Sequence, residues 1–118
     1  MKPIIIFNDK ILDAVSWFFR VTGIAIFPFV ILRENRKRDK FLYVLINHET
    51  IHFKQALELL VIPFYVLYLL FWAFNLFKYG FNAKEAYKNI PFEKEANAKE
   101  LDRNYLDTRK LYSWIKYF

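Results

Sequence analysis

Apolar residues fall along this chain in blocks of changing period. Residues 4–7 (Ile-Ile-Ile-Phe) are a short β-branched run that predicts a strand. From 9 to 20, Ile11, Leu12, Val15, Phe18 and Phe19 gather on one broad side of a helix, which Gly23 is expected to end. Residues 24–32 are apolar without interruption. Pro28 in their middle cannot donate to a central ladder, so the run reads as an edge or bulged strand, or as a core strand with a kink. Residues 33–40 carry five basic and two acidic side chains, as a solvated loop would, and Asp39 is placed to cap the next helix.

That helix begins with Phe41, Leu42, Val44 and Leu45. Residues 59–77 then run without a charge, long and apolar enough to be a membrane-span candidate. Pro63 is expected to bend this helix, and Trp72, Asn75 and the tyrosines suit a segment lying at an interface. Beyond Gly80 the chain turns polar. Asn82-Ala83-Lys84-Glu85 has the spacing of a capping box, and Pro91 marks the first turn of a further helix. Along that helix Leu101, Tyr105, Thr108, Tyr112 and Ile115 form one stripe, with Glu93, Asn97, Glu100 and Asn104 opposite. The pattern predicts one domain over residues 1–118. Its class is α+β, mostly α, with a short N-terminal β element and a long apolar helix bent at proline over about 57–77.

Composition sharpens this picture. The chain is 56% hydrophobic and 21% aromatic, with only two glycines, so a membrane or a tight homo-oligomer is the expected outlet for its apolar surface. The absence of cysteine excludes disulfides and thiolate metal sites, leaving His and carboxylates as strong ligands. Attraction to an anionic membrane surface explains the net charge of +6 as well as RNA would, and a basic nucleic-acid binder, a third reading, lacks any nucleic-acid fingerprint. The first residues lack the h-region and cleavage site of a signal peptide, and are read as mature sequence. If a membrane is present, the short basic loop at 33–40 is expected to stay on the cytoplasmic side, with the functional site.

The chemistry concentrates in His48-Glu49-Thr50-Ile51-His52, an H-E-x-x-H motif. On a helix, positions i and i+4 share a face, so both imidazoles reach one metal ion, and Glu49 lies where a metal-bound water needs a base. With two histidines and seven glutamates in the chain, chance produces this pattern on the order of once in a thousand arrangements. A catalytic zinc wants three protein ligands, and with no third His the last must be a carboxylate. Gln55 and Glu58, one and two turns on, either orient the site or face solvent. Tyr87 is a candidate hydrogen-bond donor to a developing oxyanion, the alternative being a core tyrosine. An edge strand near 24–32 would let an extended peptide pair across the metal.

Glu93-Lys94-Glu95-Ala96-Asn97 resembles the E-x-x-A-D that supplies the third ligand in gluzincin metallopeptidases, among them the HtpX-like membrane proteases. The resemblance covers roughly residues 47–55 and 91–97. It implies a zincin-like pair of active-site helices, one Zn2+ per chain on His48, His52 and Glu93, and a peptide or protein substrate. Glu93 follows His52 by 41 residues, short for the membrane proteases. Asn97 stands where the pattern has Asp, so it would orient a ligand histidine without charge. Glu95 and Glu100 are rival ligands. The alternative function is a non-catalytic, membrane-associated interaction module with a structural or vestigial metal site, which would have no need of Glu49.

Overall fold

Three short strands form within the first 32 residues, where β-branched and aromatic residues are frequent. In the computed structural model, which describes residues 2–17 and 20–118, they are β1 (Ile4–Phe7), β2 (Gly23–Ile26) and β3 (Phe29–Leu32). The sheet order is β1-β3-β2, with β1 parallel and β2 antiparallel to β3. The expected single run at 24–32 is therefore a hairpin. Pro28 lies in the turn between β2 and β3, where its missing N–H costs no ladder bond. Both β1 and β2 are edges, and the central β3 carries the buried Val30, Ile31 and Leu32.

The first helix, α1 (Asp9–Ala14), is shorter than the predicted 9–20. The Ser16 hydroxyl bonds back to the Leu12 carbonyl, and Val15 and Ser16 N–H close a turn that ends the helix. Phe18 and Phe19 lie outside the described residues. Gly23 opens β2 rather than closing α1. Arg33 fastens the sheet to α1: its buried guanidinium meets Asp13 and the Val21 carbonyl.

After a 3-10 turn at Glu34–Arg36 come the two long helices, α2 (Leu42–Glu58) and α3 (Ile62–Lys78). Asp39 accepts the Phe41 N–H at 2.8 Å and so caps the turn leading into α2, while the helix proper starts three residues later. The two helices are bent by 114° about residues 59–61, where Leu60 and Val61 take φ of 61° and 68°. Left-handed backbone in a β-branched residue costs on the order of 1–3 kcal/mol. Here it reverses the chain, and the Val61 N–H is held by the Ala56 carbonyl. Pro63 sits in the first turn of α3, where a missing N–H is harmless, so the bend precedes the proline instead of being made by it. Among the described residues no single helix is long and apolar enough to cross a membrane, although the bent pair passes that test together.

Short helices complete the domain: α4 (Ala83–Lys88), α5 (Pro91–Lys99) and α6 (Tyr105–Thr108), then a 3-10 turn at Ser113–Tyr117. Asn82 caps α4 by accepting the Glu85 N–H, as its spacing predicts. Asn75 is buried in the apolar α3 with its amide on the Ala86 carbonyl, so it ties α4 to α3 rather than marking an interface. The stripe expected to run from Leu101 to Ile115 is broken. The chain leaves helix after Lys99, and Leu101 and Ile115 are exposed.

One core cluster joins Ala56, Phe64, Ile90, Phe92 and Trp114; a second joins Ile51, Ala96 and Tyr105. Both lie where α5 packs on α2. The architecture is α+β and mostly helical.

Candidate metal centre

Around the motif α2 is buried on every side, between the sheet, α3 and α5: His48, Glu49, Thr50, Ile51, His52 and Phe53 are all buried. Ile51 packs against Ala96 of α5. With so small a residue at the crossing, Glu93, one turn earlier on α5, reaches the two imidazoles. His48 Nε2 lies 3.0 Å from Glu93 Oε1, and His52 Nε2 lies 2.9 Å from Glu93 Oε2. Ligand atoms from His48, His52 and Glu93 all fall within 4.8 Å of one another, and all three residues are buried.

The hydrogen bonds behind the imidazoles decide what faces the centre. His48 Nδ1 is 2.7 Å from Glu100 Oε2, and His52 Nδ1 is 2.8 Å from Gln55 Oε1. Both partners are acceptors, since a carboxylate only accepts and the Gln55 amide nitrogen is committed to Glu95 and the Phe92 carbonyl. Each Nδ1 therefore donates, and each Nε2 turns toward Glu93. An ionised carboxylate also only accepts, so a neutral imidazole would set lone pair against lone pair. Either a proton or a metal ion must lie between them. His52 Nε2 is buried without an aligned hydrogen-bond partner despite its short contact to Glu93. A metal satisfies such an atom. Ligands ~2.0–2.1 Å from one zinc stand a little over 3 Å apart, close to the separations found here.

Without metal the centre holds protons instead. Burial opposes charge on His48, but hydrogen bonds to Glu100 and Glu93 outweigh it and raise its pKa to about 11. His52 is raised against the same burial by Glu93. Burial likewise opposes ionisation of Glu93, and the two histidines hold it well below the usual carboxylate range. Glu49 differs. Its carboxyl is pushed up by burial, with His48 and His52 pulling the other way.

Glu49 sits against β2. A Cβ added at Gly23 would come within 3.2 Å of Glu49 Oε1 and 2.9 Å of Leu32 Cδ2, so only glycine lets the strand approach this closely. Above the centre opens a cavity of about 570 Å3, walled by β2 on one side and by Phe64, Tyr65, Tyr68 and Trp72 of α3 on the other. Tyr87 lines this cavity and interacts with the Glu93 carboxylate.

Comparison with protein-family models, curated proteins and solved structures gave no match.

The structure thus brings His48, His52, Glu93, Glu49 and Tyr87 around one cavity. It separates the rival carboxylates. Glu95 turns the other way, into a buried cluster with Arg109, Tyr105 and Gln55, and Glu100 stands behind His48. The orienting role expected of Asn97 belongs to Glu100; Asn97 is exposed at the cavity wall. Gln55 does orient the site, through His52. Tyr68, whose hydroxyl donates to Glu93 Oε2 at 2.7 Å, was not legible in the sequence because it lies inside the uncharged run at 59–77.

Proposed function

We propose that this chain is a zinc-dependent peptidase of gluzincin type, with α2 and α5 as its zincin-like helix pair. The observation that carries the reading is the arrangement of two Nε2 atoms and one carboxylate around a common point, with a second carboxylate, that of Glu49, beside it and outside the cluster. His48, His52 and Glu93 would hold the ion. Bound zinc supplies Lewis-acid polarisation of a carbonyl and lowers the pKa of a coordinated water. Glu49, held high by burial, takes the proton from the attacking water at its carboxylate and returns it to the leaving amine. Tyr87 and Tyr68 stand where a hydroxyl can donate to the oxyanion once the ligand carboxylate is otherwise engaged. Gly23 brings the edge of β2 alongside Glu49, where an extended substrate would pair with backbone.

The non-catalytic alternative keeps the metal as a tie between α2 and α5. Burial of Glu49 beside the cluster speaks against it, because a purely structural site gains nothing from a buried carboxylate outside the ligand set.

Elemental analysis tests the centre. Wild type is expected to hold one zinc per chain, and Glu93→Ala close to none. Glu100→Ala should keep the site but weaken its zinc affinity about 10–100-fold, as loss of a ligand's hydrogen-bond partner does. Full zinc in Glu93→Ala would move the third ligand elsewhere.

The setting we infer is a membrane surface. The outward side of α3 exposes Ile62, Val66, Leu69, Leu70, Phe74 and Phe77, and the charges that follow, Lys78 and Lys84, are cationic. An apolar face with a cationic end suits an anionic lipid surface. The basic 33–40 loop favours the cytoplasmic leaflet. Vesicles of phosphatidylcholine should retain little protein, and vesicles containing phosphatidylglycerol much more, with retention falling as salt rises. A protein that ignores both and self-associates instead would be a homo-oligomer covering this face with its own copy.

A further inference from the structure

The free edge of β2 is closed at one end. Among the described residues β2 pairs only with β3, and the Thr22 carbonyl accepts from Arg33 N–H on that paired side. Backbone groups alternate along a strand, so those of Gly23 and Ala25 point to the unpaired side, toward the cavity. Gly23 is the residue against Glu49. One rung further on, the Tyr65 hydroxyl donates to the Ala25 carbonyl at 2.8 Å and accepts from the Phe27 N–H at 2.8 Å. Tyr65 belongs to α3, the opposite wall of the cavity, and its ring packs edge-on against the buried Phe64. A single side chain therefore bridges both walls of the cleft and occupies the backbone groups that a longer peptide would need.

We propose that Tyr65 makes the cleft blind on its Ala25 side, so that the site removes short pieces from one end of a peptide and does not cut within a long chain. This rests on the peptidase reading given above. The space is set by the strand itself. From Gly23 to Ala25 is about 7 Å at the usual rise per residue, room for roughly two substrate residues past the scissile bond. Gly23 N–H and C=O and the Ala25 N–H remain to hold them. The Ala25 carbonyl and Phe27 N–H do not, because Tyr65 has them.

Zinc-loaded wild type, Tyr65→Phe and Tyr65→Ala are each incubated with a mixed library of linear peptides, and the fragments are identified by mass spectrometry. Wild type is expected to release pieces of about one to three residues from one end only. Tyr65→Phe keeps the ring and the packing on Phe64 but loses the latch, and Tyr65→Ala removes both. Each variant is expected to raise the ratio of internal to terminal cuts roughly tenfold or more, the scale of one or two recovered backbone hydrogen bonds. Internal cuts by wild type, or variants whose pattern matches wild type, would overturn the proposal and leave the peptidase reading standing. No cut by any of the three, with zinc bound, would remove the peptidase reading and this inference with it.

Discussion

Glu49→Gln is expected to keep one zinc per chain while lowering the rate of peptide hydrolysis about 10²–10⁴-fold, the range general-base catalysis contributes. The substitution is nearly isosteric, and an amide cannot take a proton from water at neutral pH. The three side chains proposed to hold the ion and their outer partners, Glu100 and Gln55, are untouched. Stability should not fall, because the change replaces a buried carboxylate, which burial disfavours, with a neutral group. That combination separates a base from a structural residue. A structural Glu49 would cost stability or zinc when replaced, whereas a base costs only turnover. Zinc content, thermal unfolding and hydrolysis measured on the same preparation decide it, and hydrolysis unchanged within twofold would mean that another group takes the proton.

The largest loss of stability is expected from Arg109→Met. Arg109 lies between two buried carboxylates, pairing with both oxygens of Glu58 at 2.9 and 3.0 Å and with both oxygens of Glu95. Glu58 and Glu95 are 1% and 0% exposed. Tyr105, Gln55 and the Tyr112 N–H satisfy the remaining lone pairs. Methionine fills similar volume but leaves two buried charges without their cation, a loss of about 3–5 kcal/mol. In a domain of this size that lowers the melting temperature by roughly 10–30 °C. An exposed pair removed in the same way costs only ~0–1 kcal/mol.

The pH dependence gives this prediction a second signature. Burial alone would raise the Glu95 pKa, but Arg109, Tyr105 and Gln55 outweigh it and hold it below its ordinary value of 4.5. A depressed carboxylate stabilises the fold fully above its unfolded value, and that stabilisation is lost as the pH falls through the folded one. In Arg109→Met burial acts with less opposition and the value rises. The gap between variant and wild type should therefore be widest at neutral pH and narrow in acid. Urea unfolding at pH 7 and pH 4 measures it; an equal gap at both would mean that lost packing, not lost charge, accounts for the effect. Because Glu95 also holds Gln55, and Gln55 holds His52, the variant should bind zinc less tightly as well.

The candidate centre was legible wherever a short-range rule applied. Positions i and i+4 share a helix face whatever the rest of the molecule does, so His48 and His52 were bound to converge once Leu42–Glu58 formed a helix. Asn82 three residues before Glu85 made a cap, and Pro91 opened α5, for equally local reasons. Glu93 joined the two histidines as its resemblance implied.

What depends on contacts between distant segments was not legible. Pro28 looked like an interruption within one strand, and only the pairing of residues 23–26 with 29–32 made it a turn. Proline at 63 suggested a bent helix. The reversal instead lies in the left-handed Leu60 and Val61, which no propensity favours and which the packing of α3 back over α2 imposes. Asn97 and Glu100 both lie on the same helical side as Glu93. Glu100 keeps helical backbone at the C-cap of α5 and meets His48, whereas Asn97 stays exposed at the cavity wall. Sequence by itself determined the chemistry on offer: two imidazoles, no thiols, a carboxylate beside them and an uncharged run to cover them. Tertiary structure decided which carboxylate faces the centre, which backs it and which is buried with Arg109, because a side chain's partner is set by the crossing of helices and not by its place along one.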